Sequence, residues 1–234
     1  MNNAKKIALV KEGKNLDVFV SDKNFEVRCA VAEQKYGLDI LVNDDDLFVR
    51  GAVAKQGYGL EKLVNDKNAK VRLAVAMQGY GLDVLVNDAD EFVRYAVAEQ
   101  KYGLDVLVND ESQLVRCAVA QQGYDLHVLV KDESPIVRYA VAEQGFALDV
   151  LVADDDAFVR SAVAAQGYRL DTLINDKSRI VRSTVAEQGF GLDVLINDDD
   201  EFVRRAAAGK KYVFIDPENP YVAELLDDNT TKSL

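Results

Sequence analysis

The chain has 234 residues, 49% of them hydrophobic, and a formal net charge of −12. This charge argues against nucleic acid and against an anionic membrane as direct partners, because both bind basic surfaces. No apolar run reaches the roughly 18 residues of a membrane-spanning helix, and the apolar stretch after Lys6 is too short for a signal peptide.

The first residues match part of a unit that recurs later in the chain. Residues 1–13 look like a partial long helix, and residues 16–20 match a short helix. A repeat buries its apolar face only against its neighbours, so the first repeat needs a cover. We therefore interpret residues 1–21 as an N-terminal cap.

Residues 22–208 form an array of nine copies of a 22-residue unit, the last of them incomplete, with no insertion or deletion. Every copy carries the tag Val-Arg, whose arginines are Arg28, Arg50, Arg72, Arg94, Arg116, Arg138, Arg160, Arg182 and Arg204. A fixed period of this length is typical of a solenoid. No segment shows the alternation of a strand, so the sequence predicts an all-α solenoid of two-helix repeats.

Residues 44–65 illustrate the unit. We predict that Asp44 is the N-cap of a long helix over residues 45–56, and that Gly57 supplies the left-handed residue that ends it. A short helix is predicted over residues 60–64, whose apolar side chains lie at i, i+3 and i+4.

The long helix has two flanks of different size. One carries an alanine in every copy, such as Ala54, and the other usually carries a large apolar residue. We expect the large residues to pack between successive repeats: Phe48, Phe92, Leu114, Ile136, Phe158, Ile180 and Phe202.

The arginine column has two interpretations. It could bind anions along one edge, or each arginine could pair with the aspartate that starts its own or the adjacent repeat. We favour the internal ladder, because every arginine has a matching aspartate, from Asp22 to Asp198, and such pairs give strong hydrogen bonds.

The pattern Asp-x-x-x-x-Val-Arg-x-Ala-Val-Ala, followed by a turn and a Leu-rich short segment, resembles the leucine-rich repeat variant family, which is similar in style to HEAT repeats. The resemblance covers residues 16–208. It implies a right-handed superhelix of alternating α- and 3₁₀-helices. This chain departs from the family in its slightly shorter unit and in lacking the prolines at the two turns.

A stripe at positions 47, 51 and 55, and at their equivalents, is predicted to point away from the core and varies most between repeats. Exposed apolar patches often mark binding sites. The candidate binding residues are Leu73, Met77, Tyr95, Glu99, Tyr139 and Glu143. The predicted function is a protein-binding scaffold for a basic-surfaced partner. The alternatives are an acidic decoy that regulates a nucleic-acid-binding protein, and a structural spacer or oligomer subunit.

No catalytic, cofactor or metal site is predicted. The acidic pairs and the Gln-Gly-Tyr-Gly turn recur in many copies, which does not fit a single active site, and two cysteines with one histidine cannot build a zinc or iron–sulfur site. Cys29 and Cys117 lie four repeats apart, about 35–40 Å in a stack of helices. They are therefore predicted to be unpaired, which fits the cytoplasm.

The repeat pattern ends after Ala208. Asn219 and Pro220 form a good N-cap and N1 pair, so we predict a last helix over residues 221–226 that covers the final repeat. Residues 209–234 are thus expected to be a C-terminal cap with a polar tail.

Overall fold

The structure, a computed structural model, describes residues 1–209. Within these residues the chain forms helices and no strand. The long helices are α1 (Asn3–Lys11), α3 (Phe25–Glu33), α5 (Leu47–Lys55), α7 (Ala69–Ala76), α9 (Glu91–Glu99), α11 (Gln113–Gln121), α13 (Pro135–Glu143), α15 (Ala157–Ala165), α17 (Arg179–Glu187) and α19 (Glu201–Ala207). The short helices are α2 (Leu16–Phe19), α4 (Leu38–Leu41), α6 (Leu60–Leu63), α8 (Leu82–Leu85), α10 (Leu104–Leu107), α12 (Leu126–Leu129), α14 (Leu148–Leu151), α16 (Leu170–Leu173) and α18 (Leu192–Leu195).

The helices stack in the order of the chain within two compact units, Met1–Ala147 and Leu148–Leu234. In the first unit the long helices pack in sequence, from α1 on α3 to α11 on α13. In the second unit α15 packs on α17, and α17 on α19. Short helices pack on the long helices beside them, as α6 does on α5 and α7. This sequential packing confirms the predicted all-α solenoid.

The long helices begin two residues later than predicted. The N-cap of α5 is Asp46, whose carboxylate accepts a hydrogen bond from the backbone N–H of Phe48. The prediction of Asp44 as the N-cap is therefore wrong. The side chain of Asp44 instead accepts from the N–H of Asp46 at 2.9 Å and so shapes the turn that precedes the helix.

Two left-handed residues separate each long helix from its short helix. Gly57 ends α5 at φ +73°, as the sequence predicted, and Gly59 precedes α6 at φ +62°. A side chain at Gly59 would place its Cβ 2.5 Å from Val42 of the preceding repeat. The second glycine thus allows successive short helices to approach closely, a role that the sequence analysis missed.

The core repeats with the sequence. Val49, Val53 and Ala54 of α5 are fully buried, and Leu63 of α6 is nearly so. The same positions are buried in the neighbouring repeats, so each repeat contributes one layer of valine, alanine and leucine. Among the described residues no buried side-chain nitrogen or oxygen lacks a hydrogen-bond partner.

The N-terminal segment forms both helices of a repeat, because α1 and α2 pack on α3 as later helix pairs do. Val10 of α1 is fully buried. Lys6 takes the place of the arginine of the tag and pairs with Asp22 at 2.7 Å. The predicted helix over residues 221–226, and the cap of residues 209–234 beyond Gly209, lie outside the described residues.

Candidate protein-interaction surface

The arginines of the tag connect successive repeats. Arg50 donates from Nε and Nη2 to the two carboxylate oxygens of Asp66, at 2.6 and 2.9 Å, and from Nη1 to the backbone carbonyl of Asp44 at 2.8 Å. The guanidinium thus holds the start of its own repeat and the start of the next one. This arrangement confirms the internal ladder, which is formed by Arg28–Asp44, Arg50–Asp66, Arg72–Asp88, Arg94–Asp110 and Arg116–Asp132 in the first unit and by Arg160–Asp176 and Arg182–Asp198 in the second.

The ladder also changes the acidity of its carboxylates. Burial alone would raise the pKa of Asp66, but the hydrogen bonds from Arg50 and from the N–H of Asn68 outweigh it and lower that pKa below its usual value. At Asp198 the hydrogen bond from Arg182 has the largest effect and lowers the pKa to about 2. Arginines held in this way have no free face to offer to an external anion.

The six candidate binding residues divide by exposure. Met77, at the end of α7, is 59% exposed, and the acidic side chains of Glu99 and Glu143 are also exposed. Leu73, Tyr95 and Tyr139 are only partly accessible. The predicted stripe therefore does not point fully away from the core at these three residues.

Cys117 explains why the middle of this stripe is sheltered. It occupies the same helix position as Tyr95 and Tyr139 in the repeat between them, and its thiol is buried with Sγ 3.8 Å from the carbonyl oxygen of Ile136. Residues at this position thus face the next long helix. Burial, followed by the charges of Glu143 and Glu99, raises the pKa of the Cys117 thiol.

Most of the large apolar column is exposed rather than buried between repeats. Phe48 is 52% exposed, Phe92 54% and Ile136 43% in the first unit, and Phe158 is 59% exposed in the second. The prediction that these side chains fill the space between repeats is therefore wrong for these four residues, whereas Leu114 and Ile180 are partly buried as expected. Each exposed side chain lies 100° around the helix from a buried valine such as Val49, which places it at the outer edge of that space.

Exposed apolar and acidic side chains therefore lie on α9 and α13, the two long helices that pack on either side of α11. Sequence reasoning found the tyrosines and the glutamates, and it missed the phenylalanine and the isoleucine. Their position one residue before the buried Val-Arg tag is the signal that could have identified them. We call this surface the long-helix face; it is formed by Phe92, Tyr95, Glu99, Ile136, Tyr139 and Glu143.

A second exposed row lies on the short helices. Val84, Val106 and Val128 are each about half exposed. A tyrosine precedes each of these three short helices and is also partly exposed, at Tyr80, Tyr102 and Tyr124. This row carries valine in most repeats, with Ile40, Lys62 and Thr172 as exceptions, whereas the long-helix face changes from one repeat to the next.

Residues 1–209 contain no group of three or more histidine, cysteine or acidic residues placed to hold a metal. The cavities are open grooves between the starts of successive repeats, such as the one bordered by Asp44, Arg50 and Asp66. Both cysteines are free, and burial raises the pKa of Cys29 to about 11, which disfavours the reactive thiolate.

No protein-family model matches this chain, and no curated protein matches it. The resemblance to leucine-rich repeat variants, with its right-handed superhelix, therefore stays a prediction based on the repeated motif. In the described part of the chain, no helix has both the length and the apolar content needed to cross a bilayer.

Proposed function

We propose that this protein is a non-enzymatic scaffold that binds another protein through the long-helix face. The observation that carries the proposal is the exposure of Phe92 and Ile136 beside two tyrosines, on α9 and α13, which both pack on α11. Large apolar and aromatic residues are enriched at the centres of protein interfaces, where a few of them supply most of the affinity.

Charge supports a basic partner. Glu99 and Glu143 are exposed at one end of the long-helix face, and Glu111 and Glu133 are about nine-tenths exposed at the other. Carboxylates at the rim of an apolar surface attract a partner with complementary charge and accelerate its association. A cytoplasmic location belongs to the same proposal, since both thiols are free.

Variation between repeats favours the long-helix face over the short-helix row. A surface that selects one partner needs side chains that differ along its length, because specificity is a difference between affinities for competing partners. The position of Phe92 in the long-helix face carries phenylalanine, leucine and isoleucine in three successive repeats. The short-helix row has valine at its exposed position in the same three repeats.

The acidic decoy is the second candidate function, since the net charge of −12 invites it. A decoy must display carboxylates in place of phosphates. The regularly spaced aspartates of the ladder are instead held by arginines, with Asp66 only 7% exposed. This pairing removes the most regular row of acids from the surface and favours the protein-binding scaffold.

Capture experiments with matched variants test the proposal. Immobilised protein is compared with the double variant Phe92→Ser/Ile136→Ser for proteins retained from native cell extract. We expect a specifically retained protein to bind more weakly to this variant by about 2 kcal/mol or more, which is the effect of losing central interface residues.

The control is Val106→Ser/Val128→Ser, which removes similarly exposed apolar residues from the short-helix row. It is expected to retain the partner, and circular dichroism checks that both variants keep their helicity. A partner lost from the control but not from Phe92→Ser/Ile136→Ser would assign binding to the short helices. A partner insensitive to both variants but lost on Glu111→Gln/Glu133→Gln would support the decoy.

A further inference from the structure

At the start of α19 an exposed phenylalanine and the N-cap carboxylate together hold a cation from the same chain. The guanidinium carbon of Arg179 lies 4.9 Å from the ring centroid of Phe202. Its Nη1 is 3.6 Å from Oδ2 of Asp200, the N-cap of α19, while Oδ1 of Asp200 accepts from the N–H of Phe202. An arginine from the preceding long helix thus rests on an exposed phenylalanine and pairs with the cap carboxylate.

A second repeat places a different cation over the same ring position. The ammonium nitrogen of Lys70 lies 5.9 Å from the ring centroid of Phe48, and Phe25 stacks on that ring at 5.7 Å. Lys70 comes from the following long helix, whereas Arg179 comes from the preceding one. The exposed phenylalanine therefore attracts a cation from either neighbouring repeat.

Phe92 has the same surroundings without the cation. Its N-cap carboxylate, Asp90, accepts from the N–H groups of Phe92 and Val93 through Oδ1, and Oδ2 has no hydrogen-bond donor among residues 1–209. The position of Arg179 is occupied by Ala69, and that of Lys70 by Leu114. Lys70 stands one repeat before Phe92, but its ammonium group lies over the ring of Phe48. Among residues 1–209 the ring of Phe92 therefore carries no cation.

An open groove of about 530 Å³ borders Phe92. Three carboxylates line it, from Asp90, Glu91 and Glu111, and Glu111 is 88% exposed. Glu91 accepts a hydrogen bond from Ser112. The positive group in the lining is Arg94, which is buried and held bidentately by Asp110, so the groove has negative charge in excess.

We propose that this groove, which we call the Phe92 groove, binds an arginine side chain of the partner protein. A guanidinium can lie flat on the ring and donate to several carboxylates at once, whereas an ammonium is a compact, more strongly hydrated charge. The proposal rests on the proposed function for the identity of the partner, and it places one partner arginine at the edge of the long-helix face beside Glu111.

A titration followed by amide NMR tests the groove without the partner. The probe is N-acetyl-arginine methylamide, and the lysine analogue serves as the comparison of equal charge. We expect saturable shifts at the N–H groups of Phe92 and Ser112 in the millimolar range, with weaker binding of the lysine analogue. The N–H of Phe48 is expected to stay unchanged, because Lys70 already covers that ring.

One variant fills the Phe92 groove with a cation from the chain, and a second variant removes the resident cation at Phe202. Ala69→Arg supplies the in-chain cation found at Phe202, and we expect it to weaken probe binding at the Phe92 groove by about tenfold or more. Arg179→Ala removes the resident cation, and we expect new saturable shifts at Phe202. Ala69→Ser is the control for substitution at position 69 and is expected to bind the probe as the wild type does.

The proposal is overturned if the N–H of Phe92 shows no saturable shift, or if Ala69→Arg binds the probe as well as Ala69→Ser does. Equal shifts at exposed acidic residues throughout the chain would also overturn it, since they would show unspecific attraction to the net charge. A failed titration with a successful capture experiment would reject the arginine groove and leave the long-helix face as the binding surface. If the titration succeeds but the capture experiment fails, the Phe92 groove is kept as an arginine site and the long-helix face is rejected as the binding surface.

Discussion

At the scale of single residues, the aspartate of each ladder pair has two roles. Asp110 accepts two hydrogen bonds from Arg94 and one from the N–H of Ser112. It therefore fixes the turn before α11 and ties that turn to α9. A buried ion pair adds little net stability compared with apolar packing, but removing one partner leaves a buried charge without compensation.

Asp110→Ala is therefore predicted to destabilise the protein by about 3 kcal/mol, more than the ~0.5–2 kcal/mol of a lost helix cap alone. Urea denaturation followed by circular dichroism measures the difference. Glu111→Ala is the neighbouring control; its exposed side chain lies 3.4 Å from Arg94, and such pairs contribute about 0–1 kcal/mol. Equal midpoints for the two variants would contradict the structural role of the ladder.

At the scale of helices, the sequence predicts which segments are helical but misplaces their starts. Asp44, Asp45 and Asp46 are chemically equivalent candidates for the cap of α5. The choice depends on Arg28, which comes from the preceding repeat and holds the carboxylate of Asp44 at 2.6 Å. A comparison of the copies could have identified the correct N-cap. The position of Asp46 carries Asn, Asp or Ser in every copy, and these are the strongest cap residues.

The residue before a short helix gives a second prediction at this scale. Arg169 occupies the position of Gly59 and has φ +51°, a left-handed conformation that is strained for residues with a Cβ. Arg169→Gly is predicted to stabilise the protein by about 1 kcal/mol relative to Arg169→Ala. Both variants remove the exposed contacts of Arg169 with Asp171 and Thr172, so the difference between their denaturation midpoints measures the strain. A denaturation midpoint for Arg169→Gly below that of Arg169→Ala would contradict the predicted backbone strain at this position.

At the scale of the whole molecule, the period of the sequence predicts the solenoid but only part of its surface. Val49 and Phe48 are adjacent apolar residues, and hydrophobicity alone assigns both to the interior. In the folded chain Val49 is fully buried and Phe48 is half exposed. This difference depends on how the neighbouring long helices approach each other. The candidate surface was therefore predicted at its glutamates and partly at its tyrosines, and was missed at Phe92 and Ile136.

The ladder also gives the whole molecule a characteristic response to acid. The pKa of the Asp198 carboxylate is lowered to about 2. The pKa values of five other ladder carboxylates also lie below their usual value: Asp44, Asp66, Asp88, Asp132 and Asp176. A carboxylate whose pKa is lower in the folded chain binds its proton more readily in the unfolded chain, so its stabilising effect is complete above a pH of about 4. The effect is lost as the pH falls from there towards the folded pKa.

We therefore predict that the free energy of unfolding decreases between pH of about 4 and 2, with each ladder pair whose carboxylate pKa is lowered contributing to the slope. Urea denaturation at a series of pH values measures the slope. Asp198→Asn removes one of these titrating groups and is expected to lower stability at neutral pH while making the acid-dependent slope shallower. Asp155→Asn, which changes an exposed acid outside the ladder, is expected to leave the slope unchanged. A slope that is the same for both variants would show that the acid response does not come from the pairs that connect the repeats.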